Sequence, residues 1–207
     1  MFVFEKKLIK CLELIFLLNI QILMLDTVSM CGNTAHDGDD SSKPKFYSFK
    51  EEYFSQFYFM AVEDELKKLS ESGVKYIIVS GHFPVWSIAE HGPTKCLVDK
   101  LRPLLHKYKV SAYFSGHDHN LQHISDNFMD HTVEYIVSGA ANFVSNSTDH
   151  FDFVPKNSVK FNWPDEKNLL FFDGGFTLVK ANQQNMTVTF IKSNGVELYQ
   201  SVIYPRD

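Results

Sequence analysis

The apolar residues change period several times along the chain, and each change marks an element. Over residues 51–72 they fall at Phe54, Phe57, Ala61, Leu66 and Leu69, steps of three to five that predict an amphipathic helix closed by Gly73. Residues 75–80 (KYIIVS) predict a short buried strand, residues 94–108 a helix with a kink at Pro103, and residues 110–115 a second strand. This strand, helix, strand order predicts an α/β architecture. Residues 133–138, 169–180, 186–192 and 196–203 instead alternate apolar and polar positions, separated by turns such as Ser193-Asn194-Gly195. The carboxyl end is therefore expected to be antiparallel sheet. Residues 33–46 (NTAHDGDDSSKPKF) are polar and turn-rich, and read as an exposed, protease-sensitive loop.

The amino terminus places Lys6 and Lys7 ahead of an apolar stretch from Leu12 to Leu25. Glu13, Asn19 and Gln21 interrupt that stretch and no small-x-small cleavage pattern follows it, so a signal peptide is a poor match. The stretch also falls short of the roughly 20 apolar residues a helical span requires. Residues 20–25 are expected to form a buried strand, with residues 1–19 an irregular leader and residues 20–207 a single domain portion.

Composition narrows the function classes. The 207 residues are 44% hydrophobic and 22% charged, which are globular proportions and exclude a disordered chain or a multi-span membrane protein. Twenty Lys and Arg against 25 Asp and Glu give a net charge of -5, without the basic excess of a nucleic-acid surface. Cys11, Cys31 and Cys96 allow at most one internal disulfide, and with Cys11 in the leader the expected pair is Cys31 with Cys96. Such a bond implies an oxidising compartment. The sequons at Asn146 and Asn185 agree with a secretory route.

Candidate chemistry concentrates in the histidines. His82, His91, His117, His119 and His123 lie within 42 positions. Three predicted strands end in Ser-Gly, at Ser80-Gly81-His82, Ser115-Gly116-His117 and Ser138-Gly139-Ala140. Loops leaving the carboxyl ends of strands converge on the ligand crevice of an α/β protein. In extended backbone the spacing of His117 and His119 would put both imidazoles on one face, with His82 on the neighbouring loop as a third nitrogen ligand for a metal. His91, in the loop of residues 83–94 (FPVWSIAEHGPT), suits proton donation to a leaving group. His123 is expected at the surface. A serine hydrolase is disfavoured because no G-x-S-x-G elbow occurs.

Gly81-His82-Phe83-Pro84-Val85-Trp86-Ser87, Ala89-Glu90-His91-Gly92-Pro93-Thr94, Gly116-His117-Asp118-His119-Asn120 and Ser138-Gly139-Ala140-Ala141-Asn142-Phe143 together resemble the tartrate-resistant (purple) acid phosphatases, small animal form, within the metallophosphoesterase superfamily. The resemblance runs from about Ile22 to the carboxyl terminus. It implies a calcineurin-like α/β fold, a β-sandwich flanked by helices, incomplete on its amino-terminal side. It also implies a dinuclear Fe-Fe or Fe-Zn centre, with His82 and His117 on the divalent metal, His119 on the ferric ion, and His91 binding phosphate and protonating the leaving group. Asn142 and Phe143 fall in the implied substrate pocket, and Cys31 and Cys96 match the family disulfide. The implied protein is a lysosomal or secreted monomer acting on phosphomonoesters or phosphoproteins.

The same resemblance implies oxygen ligands from an early Asp, a G-D-x-x-Y motif and a G-N-H motif. Gly38-Asp39-Asp40-Ser41-Ser42 lacks the tyrosine, and Gly32-Asn33-Thr34-Ala35-His36-Asp37 carries two extra residues. Metal occupancy and activity of this chain alone are therefore expected to be low, and a truncated, non-catalytic form is the competing expectation.

Overall fold

The computed structural model describes residues 10–14, 19–32, 49–141, 144–164 and 174–206. Strands β1 (Lys10–Leu14) and β2 (Ile20–Met24) open the chain, followed by helices α1 (Thr27–Cys31) and α2 (Phe49–Glu71) and strand β3 (Tyr76–Ser80). Helices α3 (Lys95–Lys100) and α4 (Arg102–Lys107) lead to β4 (Ala112–Ser115), β5 (Leu121–Phe128), β6 (His131–Ser138) and β7 (Val159–Trp163). The hairpins of β8 (Gly175–Ala181), β9 (Met186–Lys192) and β10 (Glu197–Ile203) close it.

A seven-stranded sheet in the order β1-β2-β3-β4-β6-β5-β7 faces a three-stranded sheet in the order β10-β9-β8. At the centre of the large sheet β2, β3, β4 and β6 are parallel, while β1, β5 and β7 join their neighbours antiparallel. Parallel neighbours need a crossover, and α2 supplies it between β2 and β3, α3 with α4 between β3 and β4. Burial follows the period of two. Ile77 and Val79 enter the cluster under the helices, with Leu23, Val62, Leu66 and Leu101. Tyr76 and Ile78 enter the cluster between the sheets, with Ile136, Val188 and Phe190. Both faces of β3 are thus covered, which is why it reads as a continuous apolar run. This is the α/β sandwich flanked by helices that the motifs implied.

Most predicted elements stand within a few residues of their expected bounds, with instructive differences. Lys10–Leu14, placed in the irregular leader, pairs antiparallel with β2. The buried face of α2 is rotated from the expected one: Phe54 and Phe57 are exposed, while Ser55, Tyr58, Phe59 and Val62 turn inward. Polar contacts help fix that face, since the Ser55 hydroxyl donates to the Met30 carbonyl and the Tyr58 hydroxyl accepts from Asp26 N–H at 3.0 Å. Pro103 separates two short helices because it offers no N–H to continue the ladder. β5 and β7 were not anticipated. β5 carries Gln122, His123 and Asp126, all buried, so no apolar alternation announces it. The polar segment 33–46 lies outside the described residues, and no helix among the described residues is long and apolar enough to cross a membrane.

One covalent tie joins helix to helix, and one ionic cluster holds the helix layer to the sheet. Cys31 at the end of α1 is bonded to Cys96 in α3, as expected, closing a 65-residue separation. Asp126 of β5, 2% exposed, accepts from Arg102 Nε at 2.6 Å and Nη2 at 3.1 Å, and lies 3.3 Å from His106 Nε2. Burial alone would raise the Asp126 carboxyl, but hydrogen bonds from His106, Arg102 and Trp86 outweigh it and hold it well below the usual carboxylate range.

The disulfide should contribute about 4 kcal/mol through its loop length, so the Cys96→Ser variant and the reduced protein should lose that amount in urea unfolding relative to the oxidised chain. Asp126→Asn should cost about 3 kcal/mol at pH 7, because it leaves the Arg102 charge without its partner. With a folded value below the unfolded 3.8, the Asp126 contribution is complete above that pH and disappears as pH falls through the folded value. Thermal midpoints between pH 6 and 2.5 should therefore fall more steeply for the unmodified chain than for Asp126→Asn.

Candidate functional site

The parallel strands bring their carboxyl ends to one edge of the sheet. β3 ends at Ser80 and β4 at Ser115, and the chain leaves each through Ser-Gly into histidine. Two backbone bonds continue the pairing past the strands: Gly81 N–H donates to Phe114 O at 3.0 Å, and Gly116 N–H to His82 O at 3.1 Å. Gly81 has no room for a side chain, since a Cβ there would meet Thr27 Cγ2 at 2.5 Å and the Tyr113 hydroxyl at 2.7 Å. Tyr113 uses that hydroxyl to donate to Phe83 O at 2.7 Å, and Thr27 Oγ1 accepts from Phe83 N–H at 3.0 Å.

Side chains from three loop positions meet above this edge. His82 Nε2 and His117 Nδ1 are 3.2 Å apart and share a hydrogen. The His91 and His117 rings lie 4.3 Å apart between centroids, tilted by 32°, and the Phe83 ring stands edge-on to His117 at 4.8 Å. Burial lowers the His117 imidazole to about 3, with repulsion from His91, His82 and His119 adding to it. His117 is therefore a neutral ring at neutral pH.

The turn that presents His117 is not extended. Its φ is 68°, a left-handed conformation that non-glycine residues adopt at a cost of order 1–3 kcal/mol. This corrects the expectation that His117 and His119 share one face of an extended chain. Gly139 stabilises the turn by leaving space: a Cβ there would fall 1.9 Å from the Asp118 carbonyl oxygen. Asp118 itself is 1% exposed and accepts from the His91 N–H at 3.0 Å. Burial pushes its carboxyl up, against the lowering effect of hydrogen bonds from Ser87 and His91. Behind the His91 loop, His150 Nδ1 contacts Ala89 O at 2.6 Å and its N–H donates to Ile88 O at 3.0 Å.

Of the residues singled out in the sequence, His82, His91 and His117 come together. His119 acts electrostatically on His117 and is half-buried, its carbonyl accepting from Ser145 N–H at 2.8 Å. His123 is corrected: it is 2% exposed, with Nε2 2.7 Å from Glu134 Oε2 and Nδ1 2.9 Å from the Tyr199 hydroxyl. Its imidazole stitches the two sheets because odd positions of β5 face the inter-sheet layer. Asn142 and Phe143 lie outside the described residues. Asn146 and Asn185 are half-buried positions, Asn185 in the turn between β8 and β9. Sequence reasoning missed Asp118 and His150. His150 lies 59 positions beyond His91 and carries no local motif, whereas Asp118 sits inside the histidine motif.

Two nitrogens bound to one tetrahedral ion at about 2.1 Å stand roughly 3.4 Å apart, so the 3.2 Å pair of His82 and His117 fits one edge of a metal shell. Among the described residues no group of three or more His, Cys, Asp or Glu side chains converges to complete that shell. The donor set thus fits part of a cation site.

Comparison with known proteins places this arrangement. The model of the calcineurin-like phosphoesterase family matches residues 14–121, and the chain belongs to that family. Within it the chain is similar to tartrate-resistant acid phosphatase type 5: 41% identical to the Homo sapiens protein over 183 residues, 88% of this chain and 52% of that protein. The Oryctolagus cuniculus protein is 40% identical over 183 residues, with the same shares covered. The chain spans about half the length of these curated relatives. The fold is also that of the purple acid phosphatase PPD1 of yellow lupin, with a TM-score of 0.64 at 14% identity, covering 99% of this chain and 34% of that one.

Gly139→Ala should force the 117–119 turn away from the end of β6, because the clash is with backbone that cannot rotate aside. The expected outcome is a loss of His82–His117 ring proximity in NMR, with the Val188 and Phe190 amides of β9 keeping their protection.

Proposed function

We propose that this crevice is the nitrogen-donor and proton-donor side of a phosphomonoester-hydrolysing site. The observation that carries the reading is the packing of His82, His91 and His117 at the ends of adjacent parallel strands, in a chain similar over most of its length to tartrate-resistant acid phosphatases. His82 and His117 would hold the divalent ion of a dinuclear iron or iron–zinc centre, and His119 the ferric ion. That centre, when bound, supplies the positive charge that draws in a phosphate monoester and stabilises charge developing on its oxygens. His91, tied through its N–H to Asp118, is held where it can hydrogen-bond a phosphoryl oxygen and give a proton to the departing alkoxide. His117 stays neutral and keeps its nitrogen available as a ligand. Asn142 and Phe143 are proposed to border the substrate, which is a small phosphomonoester or a phosphoprotein.

The second reading is a non-catalytic form that binds metal weakly. It is favoured by the two-nitrogen donor pair, with no carboxylate joining it among the described residues. Three imidazoles do not offset the charge of two metal ions, so the centre needs oxygen ligands. The Cys31–Cys96 bond and the sequons at Asn146 and Asn185 support a secreted or lysosomal setting under both readings.

Titration of the oxidised chain with Zn²⁺ should show binding that His117→Ala weakens at least tenfold and His123→Ala leaves unchanged; equal affinity in His117→Ala would overturn the ligand assignment. Loaded with iron and zinc and assayed with p-nitrophenyl phosphate near pH 5, the chain alone should turn over slowly and show no purple absorption band. Robust turnover abolished by His119→Ala would exclude the non-catalytic reading.

A further inference from the structure

The segment of residues 83–91 carries His91 to the crevice without regular secondary structure, and its polar groups need partners on the sheet that it covers. β5 provides them through side chains. Leu121 of this strand faces the second sheet and Ile124 the helix layer, so Gln122 and Asp126 project toward the loop with Ile124. Gln122 is fully buried. Its Oε1 accepts from the Ile88 N–H at 2.9 Å, and its Nε2 donates to Ser87 Oγ and Asn120 Oδ1 at 2.8 Å each. Asp126 Oδ2 accepts from Trp86 Nε1 at 3.1 Å, and Asp118 Oδ1 from the His91 N–H at 3.0 Å. As the loop advances through Trp86, Ile88 and His91, its partners run back through Asp126, Gln122 and Asp118. The loop therefore lies antiparallel to β5 and is registered by side chains where a neighbouring strand would be registered by a backbone ladder.

We infer that Gln122 is the positioning residue for His91. It occupies the middle of the three fastenings, and one planar amide touches both the His91 loop and the segment that carries His117 and His119. Its acceptor fixes the loop backbone three residues before His91. Its donors reach Ser87, whose hydroxyl also accepts from Ala89 N–H at 3.1 Å, and Asn120, the residue after His119. A slip of the loop by one residue would bury the amide and the Ile88 N–H without partners, so the amide specifies a single register. The 4.3 Å approach of His91 to His117 depends on that register. This inference deepens the reading above, since the role it assigns matters chemically only if His91 acts in the crevice.

The test uses the full, oxidised chain and Gln122→Met, which keeps length and volume but removes both hydrogen-bonding functions. Amide exchange at Ile88 and His91 should accelerate about tenfold, the effect of one lost buried hydrogen bond, and the nuclear Overhauser contact between the His91 and His117 rings should disappear. The Val188 and Phe190 amides of β9 should exchange as before. Gln122→Glu, which retains an acceptor for Ile88, should restore protection at that amide. If Gln122→Met fails to fold, Ser87→Ala removes one of the donor contacts and should accelerate the same two amides severalfold. An unchanged ring contact, or equal acceleration in β9, overturns the inference. Absent metal binding or turnover in the unmodified chain would overturn the functional reading while leaving this exchange pattern to stand or fall alone.

Discussion

The arrangement depends first on the parallel pairing of β3 with β4 and its continuation by Gly81 N–H to Phe114 O and Gly116 N–H to His82 O. Parallel strands end on the same side of a sheet, so two residues distant in sequence leave the core side by side. His82 and His117 are 35 positions apart, yet their ring nitrogens meet. An antiparallel pairing would have sent them to opposite edges. Helices α3 and α4 make this parallel connection, and together with α2 they furnish the apolar surface that covers one face of it.

Space at the strand ends is as restrictive as hydrogen bonding. Gly81 and Gly139 leave no volume for a Cβ, one against Tyr113 and Thr27, the other against the Asp118 carbonyl. Gly116, in the same sequence pattern, has open space around it. The repeated Ser-Gly pattern therefore has one form in sequence and two physical grounds. At Gly81 and Gly139 neighbouring chain crowds the position, whereas at Gly116 the tight turn that follows, with His117 left-handed, is the local demand.

Buried polar side chains divide between the two layers by the parity of their positions in β5. Even positions serve the helix side: Gln122 and Asp126 fasten the His91 loop and Arg102. His123 serves the inter-sheet side through Glu134 and Tyr199. Each of these groups is satisfied by a named partner, as buried polar groups must be. One strand thus couples the helix layer, the crevice and the second sheet, and it does so with residues whose polarity hides the strand from a hydrophobic pattern.

The strand–helix–strand order, the antiparallel carboxyl end and the family were legible in the sequence, because periodicity and contiguous motifs are local. Three cysteines leave three pairings open, and Cys31 with Cys96 was preferred by placing Cys11 in an irregular leader, where the structure has strand β1, and by the family resemblance. The sequence also singled out His82, His91 and His117, each embedded in its own short motif, and their rings meet in the structure. The tertiary structure decided which face of α2 turns inward, that residues 10–14 extend the sheet, that β5 exists, and that His123 is a core residue. It also brought Asp118 and His150 to the His91 loop. The inward face of α2 and the burial of His123 rest on contacts between distant segments, Ser55 with Met30, 25 positions apart, and His123 with Tyr199, 76 apart. A polar residue's local sequence does not tell whether its partner will be water or another segment; only the folded chain, by removing the water, makes that choice.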